Sequence, residues 1–215
     1  MMKLASACRQ RWVALTTTFM WGSAVAIGFL ALQLHGSSPG PIGAVIGHWP
    51  NSTRVPLTLG RPTLVMAVHP QCPCTRASAW ELARVLTSCQ GLAEVYILIF
   101  LPERAGHGWV TPDVLQRLGT MPGVHLIDDP AGEEAAHFGA RTSGLVALYA
   151  QNGRLLFRGG ITGTRGHEGD NAGRRALIGL IRNNRSSYPR ETPVFGCPIF
   201  PAPSNSIGDV ASWTR

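Results

Sequence analysis

Five cysteines are spread over the 215 residues, and two of them stand one residue apart in His69-Pro70-Gln71-Cys72-Pro73-Cys74. A thiol reacts as its thiolate, so what such a pair can do depends on what makes it acidic. The start of a helix does so, because its unpaired N–H groups and the positive end of its dipole favour a negative sulfur. The flanking residues predict such a start. Residues 63–68 (TLVMAV) are a short continuous apolar run, the pattern of a strand buried on both faces. Over residues 75–90, Ala79, Leu82, Ala83, Leu86 and Cys89 share one helical face, and Gly91 follows as a stop. Pro73 suits the first helical position, where its missing N–H would have no intrahelical partner. Cys72 then lies at the cap, the expected attacking thiol, with Cys74 one turn-position inside to resolve. A disulfide inside Cys-Pro-Cys closes a small strained ring, and strain makes such a bond labile and suited to exchange. The alternative is a pair of ordinary core thiols or a static bridge.

The other candidates surround this motif. His69, directly before it, is placed to tune a thiol. Cys197, in PVFGCP (193–198), stands in a Pro-rich stretch and either folds back as a third redox thiol or metal ligand, or stays unpaired. His167 lies in the Gly-rich stretch 159–171 (GGITGTRGHEGDN), expected at the same end of the sheet as Cys72, as a base, charge partner or ligand, or simply as a solvated side chain. No G-K-[ST] follows those glycines, so they are not a phosphate loop. Cys89 falls on the apolar helical stripe and reads as core. Cys8 precedes the apolar segment described below and is separated from the rest by it.

The elements that position these residues alternate. Strands are expected at 63–68, 93–101, 124–127, 145–149 and 154–157, and helices at 75–90, 113–119 and 131–138. A last helix is capped by Asp170 or Asn171 and carries the stripe Leu177, Leu180 and Ile181. Gln151-Asn152-Gly153 joins the last two strands as a hairpin turn. The order β-α-β-α-β-α-β-β-α predicts an α/β three-layer sandwich: a central mixed sheet with helices on both faces.

Ahead of this domain, residues 12–34 (WVALTTTFMWGSAVAIGFLALQL) carry no charge and are long enough to cross a bilayer. Trp12 is placed to anchor at one interface. Lys3, Arg9 and Arg11 precede the run and the next charge is Arg54, so the N-terminal tail is expected in the cytoplasm and everything after Leu34 outside it. No Ala-x-Ala site follows Leu34, which favours an uncleaved single-pass anchor in the cytoplasmic or inner membrane, with a periplasmic domain. The expected organisation is a tail (1–11), the anchor (12–34), a Gly/Pro/Ser-rich linker (35–51), the domain (52–184) and a Pro-rich tail carrying Cys197 (185–215). Hydrophobic residues make up 45% of the chain, too many for disorder. The net charge of +7 is scattered, without the basic cluster of a nucleic-acid surface.

Over residues 50–182 the chain resembles the thioredoxin superfamily, in particular the membrane-anchored extracytoplasmic thiol–disulfide proteins of the TlpA/ResA type. The resemblance rests on the strand–cysteine–helix unit and on LVALYAQNGRLLFRGG (145–160). It is closer still to the RedB group, which shares H-P-x-C-P-C-T-R-A-S, G-I-T followed by R-G-H-x-G-D-N, and P-V-F-G-C-P, here at 69–78, 160–171 and 193–198. The resemblance implies thiol–disulfide exchange with a protein partner and no cofactor beyond the cysteines. Two departures stand out. The family's C-x-x-C becomes C-x-C, with Gln71 in place of a first cysteine. The family's cis-proline, which docks extended substrates and keeps metals from the thiols, is replaced by Gly144, preceded by Ser143. Two other classes remain open. One is a copper- or zinc-binding chaperone similar to the Sco type, with ligands from His69, Cys72, Cys74, Cys197 and His167, although the Sco spacing is C-x-x-x-C. The other is a non-catalytic interaction module. A peroxidase would place Thr or Ser where His69 stands.

Overall fold

The computed structural model describes residues 2–102, 109 and 112–200. The chain divides into two compact units, Met1–Ser38 and Pro39–Arg215. The first is a single helix, α1 (Met2–Ser37), whose stretch Gln10–Ser37 is long and apolar enough to cross a membrane, with a mean hydropathy of 1.6. The expected anchor at 12–34 falls inside it. Two of its mid-helix hydroxyls need no outside partner: Thr16 Oγ1 donates to the Trp12 carbonyl at 3.0 Å and Thr17 Oγ1 to that of Val13 at 2.9 Å. Back-bonding of this kind suits a helix in lipid, where a free hydroxyl is costly.

The second unit is built on a six-stranded sheet. Its strands are β1 (Thr63–Val68), β2 (Glu94–Leu101), β3 (Val124–Pro130), β4 (Leu145–Tyr149), β5 (Leu155–Gly159) and β6 (Glu191–Thr192), in the order β3-β2-β1-β4-β5-β6. β1, β2 and β3 run parallel, β4 is antiparallel to both β1 and β5, and β6 adds parallel to β5. β1 and β4 coincide with the expected strands, and every residue in them is buried. The helices are α2 (Cys74–Cys89), α3 (Pro112–Gly119), α4 (Glu133–His137) and α5 (Ala172–Asn183). Asn171 caps α5 as expected, its side chain accepting from Arg174 N at 2.8 Å. This is the α/β sandwich, a central mixed sheet with helices on both faces, that the element order implies.

Side-chain alternation along β1 divides the core in two. Leu64, Met66 and Val68 face α2, α3 and α5, joined by Leu82, Val85, Leu118, Leu177 and Leu180. Val65 and Ala67 face the other way, with Leu145, Ala147 and Tyr149. On this second face α4 is a helix of only five residues. The remaining cover comes from the two stretches that composition assigns to linker and tail.

Both assignments need correction. Residues 40–49 bond along the domain: Gly40 N donates to Val194 O at 2.8 Å, Gly43 N to Gly139 O at 3.1 Å and Trp49 N to Gly153 O at 2.8 Å, while Gly47 O accepts from Leu155 N at 2.9 Å. Trp49 stands edge-on to Phe138 and Tyr149, each at 5.1 Å. Buried Arg158 donates to the carbonyls of Gly43 and Gly139, and the Tyr149 hydroxyl to that of Ile46. In the C-terminal stretch, Glu191–Thr192 forms β6, and Val194, Phe195 and Ile199 are buried. Composition misleads here because both stretches are held by backbone pairing to remote residues, which leaves no periodic apolar pattern.

Candidate functional site

β1 ends at Val68, and residues 69–73 turn the chain into α2. The Cys72 N–H donates to His69 O and Thr75 N–H to Cys72 O, each at 3.0 Å. The helix starts at Cys74 with Pro73 as its cap in helical geometry, one position later than expected, and no side chain caps it. The orphan donors at this end are thus free to act on sulfur. Both thiols sit at the helix start and both are buried, Cys72 being 4% and Cys74 8% exposed. The expected exposed cap is therefore covered.

What covers it is the C-terminal segment, which brings Cys197 to the pair. Cys197 N–H donates to Cys72 Sγ at 3.3 Å. The Cys197 thiol is the strongest influence on Cys72, holding it as thiolate against the cost of burial; the Cys74 N–H and thiol add to this, and the Cys72 pKa falls to about 5. The same interaction acts in reverse on the partners. Cys197 is pushed up, first because it donates to Cys72 and then by burial. Cys74 is raised by burial and by the neighbouring Cys72 charge. The three sulfurs form one unit: a thiolate with two proton donors.

The Gly-rich stretch does reach this end of the sheet, but not through His167. The Gly166 N–H bonds the Cys74 sulfur, and the charge of Arg165 opposes the rise at both Cys74 and Cys197. Arg165 also donates to Gly196 O at 2.6 Å. His167 is exposed, its backbone N–H turned to Thr164 O. The loop is positioned from α2: fully buried Glu81 accepts from Gly169 N at 2.8 Å, from Asn171 Nδ2 at 3.3 Å and from Arg174 Nη1 at 2.5 Å.

His69 is occupied by the turn. Its Nδ1 accepts from Gln71 N at 3.2 Å, and its ring stacks on Phe100 at 5.3 Å with Trp109 edge-on at 6.1 Å. Burial lowers its pKa, so it stays neutral near pH 7. Its backbone N–H donates to Ser143 Oγ at 2.9 Å, and Ser143 pairs with Thr75 Oγ1 at 3.1 Å, which donates to His69 O at 3.0 Å. Ser143 therefore ties the late loop to the cysteine turn. Arg165, Gly166 and Glu81 are not expected at the site from the sequence, and Ser143 is marked there only as the residue before Gly144. The Arg-Gly-His run points to the right loop but not to the right residue, because loop conformation decides which of three successive residues faces inward.

Among the described residues, no three His, Cys, Asp or Glu side chains are grouped to hold a metal ion. Cys89 is buried at the opposite end of α2, as the apolar stripe predicts.

The sequence matches no protein-family model and no curated protein. Solved structures do overlay. An uncharacterized conserved protein from Geobacillus kaustophilus aligns at TM-score 0.55 and 18% identity, over 78% of this chain and 94% of that one. A hypothetical protein from Sinorhizobium meliloti 1021 aligns at 0.53 and 19% identity, over 77% and 96%. The thioredoxin domain of a thiol-disulfide oxidoreductase from Bacteroides vulgatus aligns at 0.42 and 12% identity, over 68% and 97%. The first two show that this fold is shared across nearly the whole of each neighbour.

Proposed function

We propose that the protein is a membrane-anchored, extracytoplasmic thioredoxin-like protein of the RedB and TlpA/ResA type that exchanges disulfides with a protein partner. The observation that carries this reading is the Cys72 sulfur, seated before α2 with the Cys197 N–H on it at 3.3 Å and held as thiolate with a pKa of about 5. Cys72 attacks a partner sulfur; the partner's S–S bond breaks, and its second sulfur leaves as thiolate and takes up a proton. One of the two thiols bonded to Cys72 then attacks the Cys72 sulfur of the mixed disulfide and releases the other half of the partner. Once Cys72 is in a disulfide its negative charge is gone, and the main force holding the proton on Cys197 goes with it. In this reading the electron pair is carried by sulfur alone, without a resident metal or cofactor. The anchor at 12–34 holds the domain at the outer face of the membrane, where disulfides persist.

The test is a glutathione redox series on the full chain in detergent, read by differential alkylation of Cys72, Cys74 and Cys197. Cys72 is expected to pass from alkylatable to protected, and Cys72→Ser to lose all exchange with protein disulfides. An unchanged Cys72 across the series defeats the proposal.

A further inference from the structure

The segment around Cys197 does more than deliver a thiol. Residues 196–199 lie antiparallel to 141–143: Ser143 N donates to Cys197 O and Ile199 N to Arg141 O, both at 2.9 Å, on either side of a Thr142–Pro198 bridge. Main-chain pairing of this kind is how an extended peptide adds to a sheet edge. Close approach is built in, since a Cβ on Gly196 would overlap the Ser143 carbonyl oxygen. Arg165 grips the Gly196 carbonyl at 2.6 Å, and the cysteine at the centre of the segment places its own N–H on the nucleophile. The molecule thus holds against Cys72 an extended, backbone-paired strand with a cysteine at the reacting position. An incoming disulfide needs that same place for its sulfur to meet Cys72, which the segment leaves only 4% exposed.

We infer that residues 196–199 are a tethered stand-in for the substrate: the partner is an extended, cysteine-bearing protein strand that pairs with residues 141–143 and reaches Cys72 by displacing this segment. The inference rests on the disulfide-exchange reading above. When the partner's sulfur has bonded to Cys72, the returning segment brings the Cys197 thiol to the mixed disulfide. Cys197 gives up its proton, a Cys72–Cys197 bond forms, and the partner cysteine leaves as thiolate and takes up a proton. The partner disulfide has gained two electrons, and two thiols of this chain have lost them.

The test compares two disulfides on the full-length chain in detergent. One is a small reagent, 5,5′-dithiobis(2-nitrobenzoate). The other is an extended ten-residue peptide whose single cysteine carries the same thionitrobenzoate leaving group. Thionitrobenzoate release reports both rates, and their ratio cancels any change in Cys72 acidity. Gly196→Ala, which pushes the segment off Ser143, is expected to raise the peptide-to-small-reagent ratio at least tenfold; an unchanged ratio overturns the inference. Should this variant fold poorly, the peptide is trapped on Cys72 in the Cys74→Ser, Cys197→Ser chain and amide exchange is followed. Protection at residue 199 is expected to fall at least tenfold while that at Ser143 persists, and full protection at residue 199 overturns the inference. If wild type reacts with the small reagent through Cys72, a negative result falls on the displaced strand alone; if Cys72 reacts with neither, the disulfide-exchange reading fails as well.

Discussion

The two ends of α2 hold a buried sulfur each, and burial is nearly the same: 4% exposure for Cys72 just before the helix and 3% for Cys89 on its last residue. Their chemistry is opposite. Cys72 receives N–H and thiol donors and falls to about 5, whereas burial pushes Cys89 up. At the C-terminal end the helix presents carbonyls, and the negative end of its dipole opposes a thiolate. A cavity also lies at the wrong end: a cleft of about 510 Å³ lined by Arg61, Leu86, Cys89, Glu94 and Met121 sits beside Cys89. Thiol acidity in this molecule therefore follows the direction in which hydrogen-bond donors point, not the depth of burial or the volume of space next to a sulfur.

The strongest way to break that contrast is alkylation at pH 6. With a pKa of about 5, about nine-tenths of Cys72 is thiolate there, whereas burial keeps Cys89 protonated. Low-pKa thiolates are intrinsically less nucleophilic, which offsets part of that difference. Peptide mapping after iodoacetamide treatment of the folded, reduced chain is expected to show Cys72 modified at least tenfold faster than Cys89. Equal rates at pH 6 would dissolve the contrast.

Stability against pH tests the same opposition through its sign. The Cys72 pKa is lower in the folded chain than its unfolded value near 8.5, so its contribution is complete above that pH. It is lost as pH falls toward about 5, at up to about 1.4 kcal/mol per pH unit. Cys89 is raised, so its contribution is complete below about 8.5 and is lost above it. Urea midpoints of the reduced chain are expected to fall between pH 8.5 and 5.5, and Cys72→Ala to flatten that slope while Cys89→Ala leaves it in place.

The smallest effect sharpens the picture within the site. Arg165→Gln removes the charge that opposes the rise at Cys74 and Cys197. Resolution of a trapped mixed disulfide at pH 7 is expected to slow by about threefold, because the resolving thiol loses acidity with that charge. The initial attack by Cys72 is expected to change less, and stopped-flow measurement of both steps separates them.

Where chemistry or burial is written into contiguous residues, the sequence anticipates the structure. TLVMAV and LVALY mark β1 and β4 because strands buried on both faces are apolar at every position. Asn171 shows its capping role by residue type alone. The Cys-Pro-Cys turn is legible because Pro73 and the following stripe define a helix start. Long-range backbone pairing is not legible. Nothing in GPIGAVIGHW (40–49) or FGCPI (195–199) announces that Gly40 will bond Val194, or that Ser143 will bond Cys197. For Cys197 the sequence leaves two readings, a thiol that folds back or one that stays unpaired, and only pairing across 125 residues decides between them. Glu81 was opaque for another reason: a carboxylate on a helix is ordinarily exposed, and here donors from Arg84, Gly169, Asn171 and Arg174 hold it inside.

The backbone at Gly144 limits what that position can hold. Its φ of +91° lies far from the angle of about −65° to which a proline ring is locked, and its N–H is engaged by Ala67 O at 2.8 Å. A Cβ there would stand 3.0 Å from Ser78 Oγ and 3.9 Å from Phe195 O. A proline at this position would meet the wrong backbone angle and forfeit the hydrogen bond to Ala67 at the end of β1, so the residue beside Ser143 that faces the cysteine turn is held to glycine by its own backbone.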